Sequence, residues 1–195
     1  MGSTIMGSTM RPDRKACDGP IFDPRPTPAI LLDDPLEFIL ADHYRQRQIC
    51  HALRTMAAVG AVNQDDAIRI THFLRDELWL HHLDEDEDLF PVLRRRMRSE
   101  RDLKLGQTLE ELTSYHQQSE AAIAQLVTFL LADGSSEMIV VPEAMGRMML
   151  AYAADEHRHL AIENGVVMAI ARTRLTRQDR ADISRRMKAR RGLAD

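Results

Sequence analysis

Two histidine–glutamate pairs constrain the fold of this chain more than any other feature of its sequence. His81 is followed four residues later by Glu85, and His159 by Glu163, and each pair lies inside a long segment with helical apolar periodicity. Residues i and i+4 of an α-helix lie on one face, one turn apart, so each pair directs an imidazole and a carboxylate to one point. The pairs therefore predict a buried site for two metal ions inside a helical bundle.

Helix start and stop signals divide the chain into four long helices and one short helix. Asp34 followed by Pro35 marks the first start, and Pro91 is expected to kink or end the second helix. Capping boxes at Ser99–Asp102 and Thr176–Asp179 begin the third helix and the last. The predicted helices cover residues 34–60, 63–91, 99–134, 142–174 and 176–191.

The fold class predicted from these segments is all-α. No segment has the alternating β-branched pattern or the turn dipeptides of a hairpin. Short connections predict an up-down-up-down four-helix bundle with a short C-terminal helix. Residues 1–33, which contain several prolines and no periodicity, are expected to be a disordered tail. Residues 34–175 are expected to form the bundle, and residues 176–195 are expected to form a short basic C-terminal helix.

The apolar stripe of each long helix contains one histidine. At 1.5 Å per residue, His43 and His81 both lie about 26 Å from the connection between the first two helices. Counting from the other connections brings His116 and His159 to the same level. The four imidazoles and two carboxylates would carry a heavy desolvation cost in a dry layer, which a pair of cations would remove.

The donors available for a metal are nitrogen and oxygen. Cys17 in the tail and Cys50 in a helix make neither a disulfide framework nor a thiolate motif. Imidazole and carboxylate without thiolate suit iron, manganese or zinc, and shared carboxylates favour iron or manganese.

The same four elements resemble the haemerythrin-like family of HHE cation-binding domains. HHLDEDEDLFP and HRHLAIENGVVMA are similar to the two HxxxE blocks of the family, and ADHYRQRQIC and LTSYHQQSE are similar to its two single-histidine helices. The resemblance extends over residues 34–175 and implies a non-haem centre of two Fe ions, with Mn or Zn less favoured. The implied terminal ligands are His43, His81, His116 and His159, and the implied bridges are Glu85 and Glu163.

The pattern departs from the oxygen-carrying members of this family, which use five histidines. The remaining histidines fall off the inward stripes; they are His51, His72, His82 and His157. Glu120, four residues after His116, is a further candidate ligand, and the alternative is a solvated glutamate.

Two other pairings are open in the sequence. His82 with Asp86 has the same spacing as His81 with Glu85, displaced by one residue, but the apolar stripe favours the latter pair and leaves His82 in a flanking position. A ferritin-like site needs the ExxH motif on two helices, and only Glu156 with His159 provides it, so that alternative is disfavoured.

The ligand pattern is closer to the di-iron repair and stress-response branch of the resembled family than to the carriers. The favoured function is binding or sensing of O2, NO or redox state, with a signal passed to a protein partner. An enzyme-like role in NO or peroxide chemistry or iron-centre repair stays open, as does a role as oxygen carrier or iron store. The sequence does not decide whether the chain is an enzyme.

Charge and hydropathy limit the other partners. The net charge of −4 gives no global attraction to nucleic acid or anionic membranes. Without a long apolar run or a signal peptide pattern, the cytoplasm is the expected compartment. A solvated acidic face is predicted from Asp84, Asp86, Glu87 and Asp88. A solvated helix end is predicted from Arg185, Arg186, Lys188, Arg190 and Arg191.

Overall fold

The computed structural model describes residues 25–97, 102–132 and 137–193. Within these ranges the chain forms five helices, two very short strands and an initial 3-10 turn, Ala29–Asp33. Helix α1 spans Pro35–Val59, α3 spans Leu103–Leu131 and α5 spans Arg177–Arg190. Helix α2 is continuous through Gln64–His72, Phe73–Glu77, Leu78–Leu83, Asp84–Leu89 and Phe90–Arg95. Helix α4 is continuous through Glu143–Ile162, Glu163–Val167 and Met168–Arg174.

The capping signals define several of these ends as the sequence predicts. The Asp34 carboxylate accepts a hydrogen bond from the Leu36 N–H at 3.2 Å, and Pro35 lies in the first turn of α1. Gly60 ends α1 with a φ of 74°, in the left-handed region that favours glycine. Thr176 and Asp179 form the predicted reciprocal capping box of α5.

The two connections at one end of the bundle pair with each other. Strand β1, Ala61–Asn63, follows α1, and strand β2, Met138–Val140, precedes α4. They are antiparallel, with Val62 opposite Ile139. This pairing brings the α1–α2 and α3–α4 connections together, as the up-down-up-down order requires. The all-α bundle is confirmed, but the two strands were not predicted because three residues are too few to show alternation.

Pro91 does not end α2, contrary to one expectation from the sequence. The segment Asp84–Leu89 directly before it is a π-helical turn, in which the Phe90 N–H bonds to the Glu85 carbonyl five residues back. Pro91 therefore falls in the first turn of the following α-helical segment, where its missing N–H is tolerated. The helix continues to Arg95.

Part of the segment that was expected to be a tail packs on the bundle. Leu32 in the turn Ala29–Asp33 is fully buried, and the Ser184 hydroxyl of α5 donates to its carbonyl at 2.6 Å. The remainder of the predicted tail through residue 24, and the predicted signals Ser99 and Gly134, lie outside the described residues. Asp102 precedes α3 and forms an ion pair with Arg174 at 2.7 Å.

Two apolar cores lie above and below the histidine layer. The core near the paired connections includes Leu53, Ile70, Leu126 and Met149. The core at the opposite end includes Leu36, Phe90, Leu109, Met168 and, from α5, Ile183. Burial of these side chains excludes water from both sides of the layer between them.

Candidate metal centre

The structure brings the six core residues of the predicted site into one cluster. They fall into two groups, within each of which the candidate ligand atoms lie within 4.8 Å of one another. One group is His43, His81, Glu85 and Glu163, and the other is Glu85, His116, His159 and Glu163. Both glutamates belong to both groups. All six side chains are buried.

Each of the four histidines in the cluster directs its Nε2 atom toward the shared carboxylates of Glu85 and Glu163. His43 Nε2 lies 3.3 Å from Glu85 Oε1 and 3.4 Å from Glu163 Oε2. His81 Nε2 lies 3.4 Å from Glu85 Oε2. On the other side, His159 Nε2 lies 2.8 Å from Glu163 Oε1. The carboxylates therefore stand between the two histidine pairs.

The buried donors of the cluster fit a cation better than they fit each other. Among the described residues, His81 Nε2, Glu85 Oε2 and both oxygens of Glu163 have no hydrogen-bond partner of acceptable geometry. Such buried orphaned atoms are rare because each costs free energy. The Nε2 atoms of His116 and His159 are 3.0 Å apart, a separation expected for neighbouring ligands of one ion at metal–nitrogen distances of about 2.1 Å.

The opposite ring nitrogens of His43 and His116 are held by polar side chains. His43 Nδ1 lies 3.2 Å from Asn164 Oδ1, and the Asn164 amide donates to the Leu160 carbonyl at 2.7 Å. His116 Nδ1 lies 2.9 Å from Asp86 Oδ2. A proton on Nδ1 fixes the ring and leaves Nε2 free to bind a metal.

Asn164 and Asp86, and a third polar neighbour, Asp42, could have been suspected from their positions next to candidate ligands. Asp42 precedes His43 and lies 3.8 Å from His81 Nδ1, while Asp86 and Asn164 follow Glu85 and Glu163. Asp86 was expected on a solvated face; it is half-buried, and it also accepts a hydrogen bond from the Thr113 hydroxyl at 2.6 Å. Adjacency to a ligand was the available signal.

Both shared glutamates lie in π-helical turns. Glu85 is the second residue of Asp84–Leu89, and Glu163 is the first residue of Glu163–Val167. A π-helical turn inside an α-helix widens the backbone and shifts the face that the next residues present, which is why such turns are frequent at functional sites. The two HxxxE pairs thus share a local backbone form as well as a spacing.

Burial and neighbouring charges shift the pKa values of three residues of the cluster. Burial lowers the pKa of His81, but the charges of Glu85 and Asp42 outweigh burial and raise it well above its ordinary value. Burial also lowers the pKa of His116, whereas its contacts with Asp86 and Glu163 raise it to about 10. Burial raises the pKa of Glu85, but His81 and His43 together hold it well below its ordinary value.

The side chains of His82 and Glu120 lie outside the six-residue cluster. His82 stacks on His116 with ring centroids 4.1 Å apart and an interplanar angle of 12°. Burial and the neighbouring His116 hold the pKa of His82 well below its ordinary value. Glu120 is exposed on a groove of about 410 Å³ between α2 and α3, so the structure does not bring this candidate ligand to the others.

Substituting each of the two adjacent histidines in turn should show which pair of α2 binds metal, His81 with Glu85 or His82 with Asp86. His81→Ala removes an Nε2 atom from one of the two ligand groups and should lower the metal content to about half of the wild-type value. His82→Ala, the matched control, removes only a stacking partner of His116 and should leave the metal content near that of the wild type. Elemental analysis of both purified variants measures the difference. The reverse order would assign the site to His82 and Asp86.

The outer face of His159 is covered by a tyrosine that the sequence did not single out for this position. The Tyr115 ring stacks on His159 with centroids 4.3 Å apart, and its hydroxyl donates to Glu156 Oε2 at 2.9 Å. Burial raises the pKa of Glu156, and burial together with the Glu156 charge raises the pKa of Tyr115. Tyr115 and His159 both line a groove of about 540 Å³ between α3 and α4.

The acidic stretch around Glu85 is not the solvated face expected from the sequence, and the basic end of α5 is not fully solvated. Asp84 and Asp88 are buried. Asp84 Oδ2 accepts from Arg191 Nη2 at 2.6 Å, and Asp88 Oδ2 accepts from Arg190 Nη1 at 2.8 Å. Arg186 also pairs with Asp88. Helix α5 folds back against the π-helical turn, so charges far apart in sequence meet.

Three other residues of the predicted acidic face and the predicted basic helix end also form ion pairs. Glu87 is largely exposed, as expected, although it pairs with Arg190 at 3.1 Å. Arg185 pairs with Asp182 on the same helix and is exposed. Lys188 reaches Asp33 at 2.7 Å.

None of the helices in the described residues combines the length and the apolar character that a membrane span needs.

Comparison with protein families agrees with the geometry of the cluster. No curated protein and no solved structure is significantly similar to the chain. The family model described as the hemerythrin HHE cation binding domain matches residues 34–171, the part of the chain that contains all six clustered residues. Because this match covers well over half of the 195 residues, the chain belongs to the haemerythrin HHE cation-binding family.

Proposed function

We propose that the six-residue cluster holds a non-haem di-iron centre that binds or senses O2, NO or redox state. His43 and His81 would bind one iron, His116 and His159 the other, and Glu85 and Glu163 would bridge the two. A sensor of this kind would pass its signal to a partner protein. The membership of the chain in a cation-binding family supports the metal, and the donor types support the choice of iron.

The donor set favours iron over thiolate-bound metals. Nitrogen and carboxylate oxygen are the donors in both groups. Burial, with the Glu156 charge, raises the pKa of the nearby Cys50 thiol to about 12, so this side chain stays protonated and is a poor ligand. Imidazole and bridging carboxylate suit iron or manganese.

The observation that carries the proposed function is the number of protein donors in each of the two ligand groups. Each group supplies two histidines and the two shared glutamates. Iron bound there would supply reversible one-electron chemistry and, beyond four protein ligands and a solvent bridge, a position for a small ligand. Asn164 and Asp86 would keep the imidazoles in place while such a ligand exchanges.

One observation favours an enzyme-like alternative in NO or peroxide chemistry or iron-centre repair. The groove of about 540 Å³ whose wall contains His159 is larger than a diatomic molecule needs. It can admit an organic reductant or substrate to the neighbourhood of the metal pair.

Anaerobic loading with Fe(II), followed by optical spectra, tests the proposed function. We expect O2 or NO to change the spectrum, and azide to bind the oxidised centre, because water on a metal is readily displaced. Glu120→Ala is the matched control; its side chain is exposed and outside both ligand groups, so the azide response should be unchanged. A fully loaded protein that responds to none of the three ligands would contradict a ligand-binding centre.

Metal binding should release protons. The raised pKa values of His81 and His116 mean that both rings are protonated at neutral pH in the metal-free protein, whereas a metal requires the neutral form. Loading at pH 7.5 should therefore release protons, and affinity should rise with pH as these rings lose their protons unaided, which for His116 occurs at about pH 10. A pH indicator in weakly buffered solution measures the release. Loading without proton release would contradict this charge state.

A further inference from the structure

Tyr115 lies between an open groove and the candidate ligand His159. It is half-buried, lines the groove between α3 and α4, and covers His159 with an interplanar angle of 24°. Ring contact of this kind provides a short path for an electron between a surface-accessible aromatic group and an imidazole bound to a metal. Tyr115 thus links the outside of the bundle to the cluster.

The phenol hydroxyl of Tyr115 also has a proton acceptor. Its hydroxyl donates to Glu156 Oε2 at 2.9 Å, and Glu156 is only 2% exposed. The other carboxylate oxygen, Oε1, has no hydrogen-bond partner among the described residues. Oxidation of a phenol is easiest when the proton leaves along an existing hydrogen bond as the electron leaves the ring, because no high-energy charged radical forms.

Neither of the other two tyrosines combines these contacts. Tyr44 on α1 is 60% exposed, and Tyr152 on α4 is buried. Within the described part of the chain, the ring stack on a clustered histidine and the hydrogen bond to a buried carboxylate occur together at Tyr115.

We propose that Tyr115 is a one-electron redox residue that couples the groove to the metal pair; this inference rests on the proposed di-iron function. Iron in the site would give a hydroperoxide, itself reduced to an alcohol and water, the means to take one electron at a time from the protein. That electron leaves the Tyr115 ring through its contact with His159. The hydroxyl proton moves to Glu156 Oε2. The products on the protein are a neutral tyrosyl radical and a protonated Glu156.

A thiol or phenol bound in the groove gives one electron to the Tyr115 radical and loses its own proton to water, and Glu156 returns its proton to the tyrosine oxygen. Because each donor gives one electron, two donor molecules are oxidised for each hydroperoxide that is reduced. The apolar wall formed by Leu112, Met148 and Ile162 suits the body of such a molecule.

Freeze-quenched electron paramagnetic resonance of the iron-loaded full chain treated with hydrogen peroxide tests this proposal. A tyrosyl signal is expected in the wild type, and Tyr115→Phe should reduce its intensity at least tenfold at equal iron content. Tyr44→Phe and Tyr152→Phe are the matched controls and should retain the signal. Glu156→Gln should also reduce its yield, since an amide does not accept the proton.

The outcomes separate this inference from the proposed function. A chain that holds two irons and responds to azide but gives no tyrosyl signal, or a signal of equal intensity in Tyr115→Phe, overturns the redox role alone. A folded chain that binds no iron overturns both proposals.

Discussion

Replacing either shared glutamate with alanine should remove nearly all of the bound metal. Glu85 and Glu163 belong to both ligand groups, so the loss of one carboxylate takes a donor from both ions and leaves the other glutamate to balance the charge of two cations. We expect the metal content of Glu163→Ala to fall to a small fraction of the wild-type value, a larger loss than the roughly 10–100-fold weakening typical of supporting residues.

His159→Ala is the informative comparison for this first prediction. His159 belongs to one group only, so the ion at His43 and His81 keeps its own histidines, and about half of the metal should remain. Elemental analysis, with circular dichroism to establish the helical fold, measures both variants. Equal losses in the two variants would argue against bridging glutamates.

The second large effect is expected from the ion pairs between α5 and the π-helical turn that contains Glu85. Asp84 is fully buried and pairs with Arg190 and Arg191. Changing both arginines to methionine would leave Asp84 as a buried charge without its partners, which costs about 3–5 kcal/mol in comparable cases. The free energy of unfolding, measured in urea on the metal-free protein, should fall by about that amount.

Two further variants sharpen this second prediction. Arg185→Met removes an exposed ion pair on the same helix and should leave the unfolding midpoint near that of the wild type. Adding Asp84→Asn to the double arginine variant removes the buried charge and should restore part of the lost stability. An unchanged midpoint in the double arginine variant would mean that α5 does not secure this turn.

Local rules allow the bundle to be predicted from the sequence. The ends of α1 and α5 depend on Asp34, Gly60 and the Thr176–Asp179 box, which act on their own neighbours in the chain. The level of each histidine depends on a constant rise per residue and on short connections, so counting from the turns sufficed to bring His43 and His116 into one layer.

Features that depend on distant residues could not be predicted in the same way. The partners of Asp84 are more than 100 residues away, and nothing near Asp84 indicates that α5 folds back over it. The strands exist because two connections meet, and the stack of Tyr115 on His159 depends on how α3 packs against α4. The π-helical turns had no recognised local signal, which is why Pro91 was expected to kink or end α2.

Anomalous diffraction from crystals of the iron-loaded protein at the iron edge tests the central claim most directly. The proposed centre predicts two peaks inside the bundle, about 3.5–4 Å apart as in other two-metal sites. One peak should lie beside His43 and His81, the other beside His116 and His159, and Glu85 and Glu163 should lie between them. A single peak, or density at His82 and Asp86 instead, would contradict the claim.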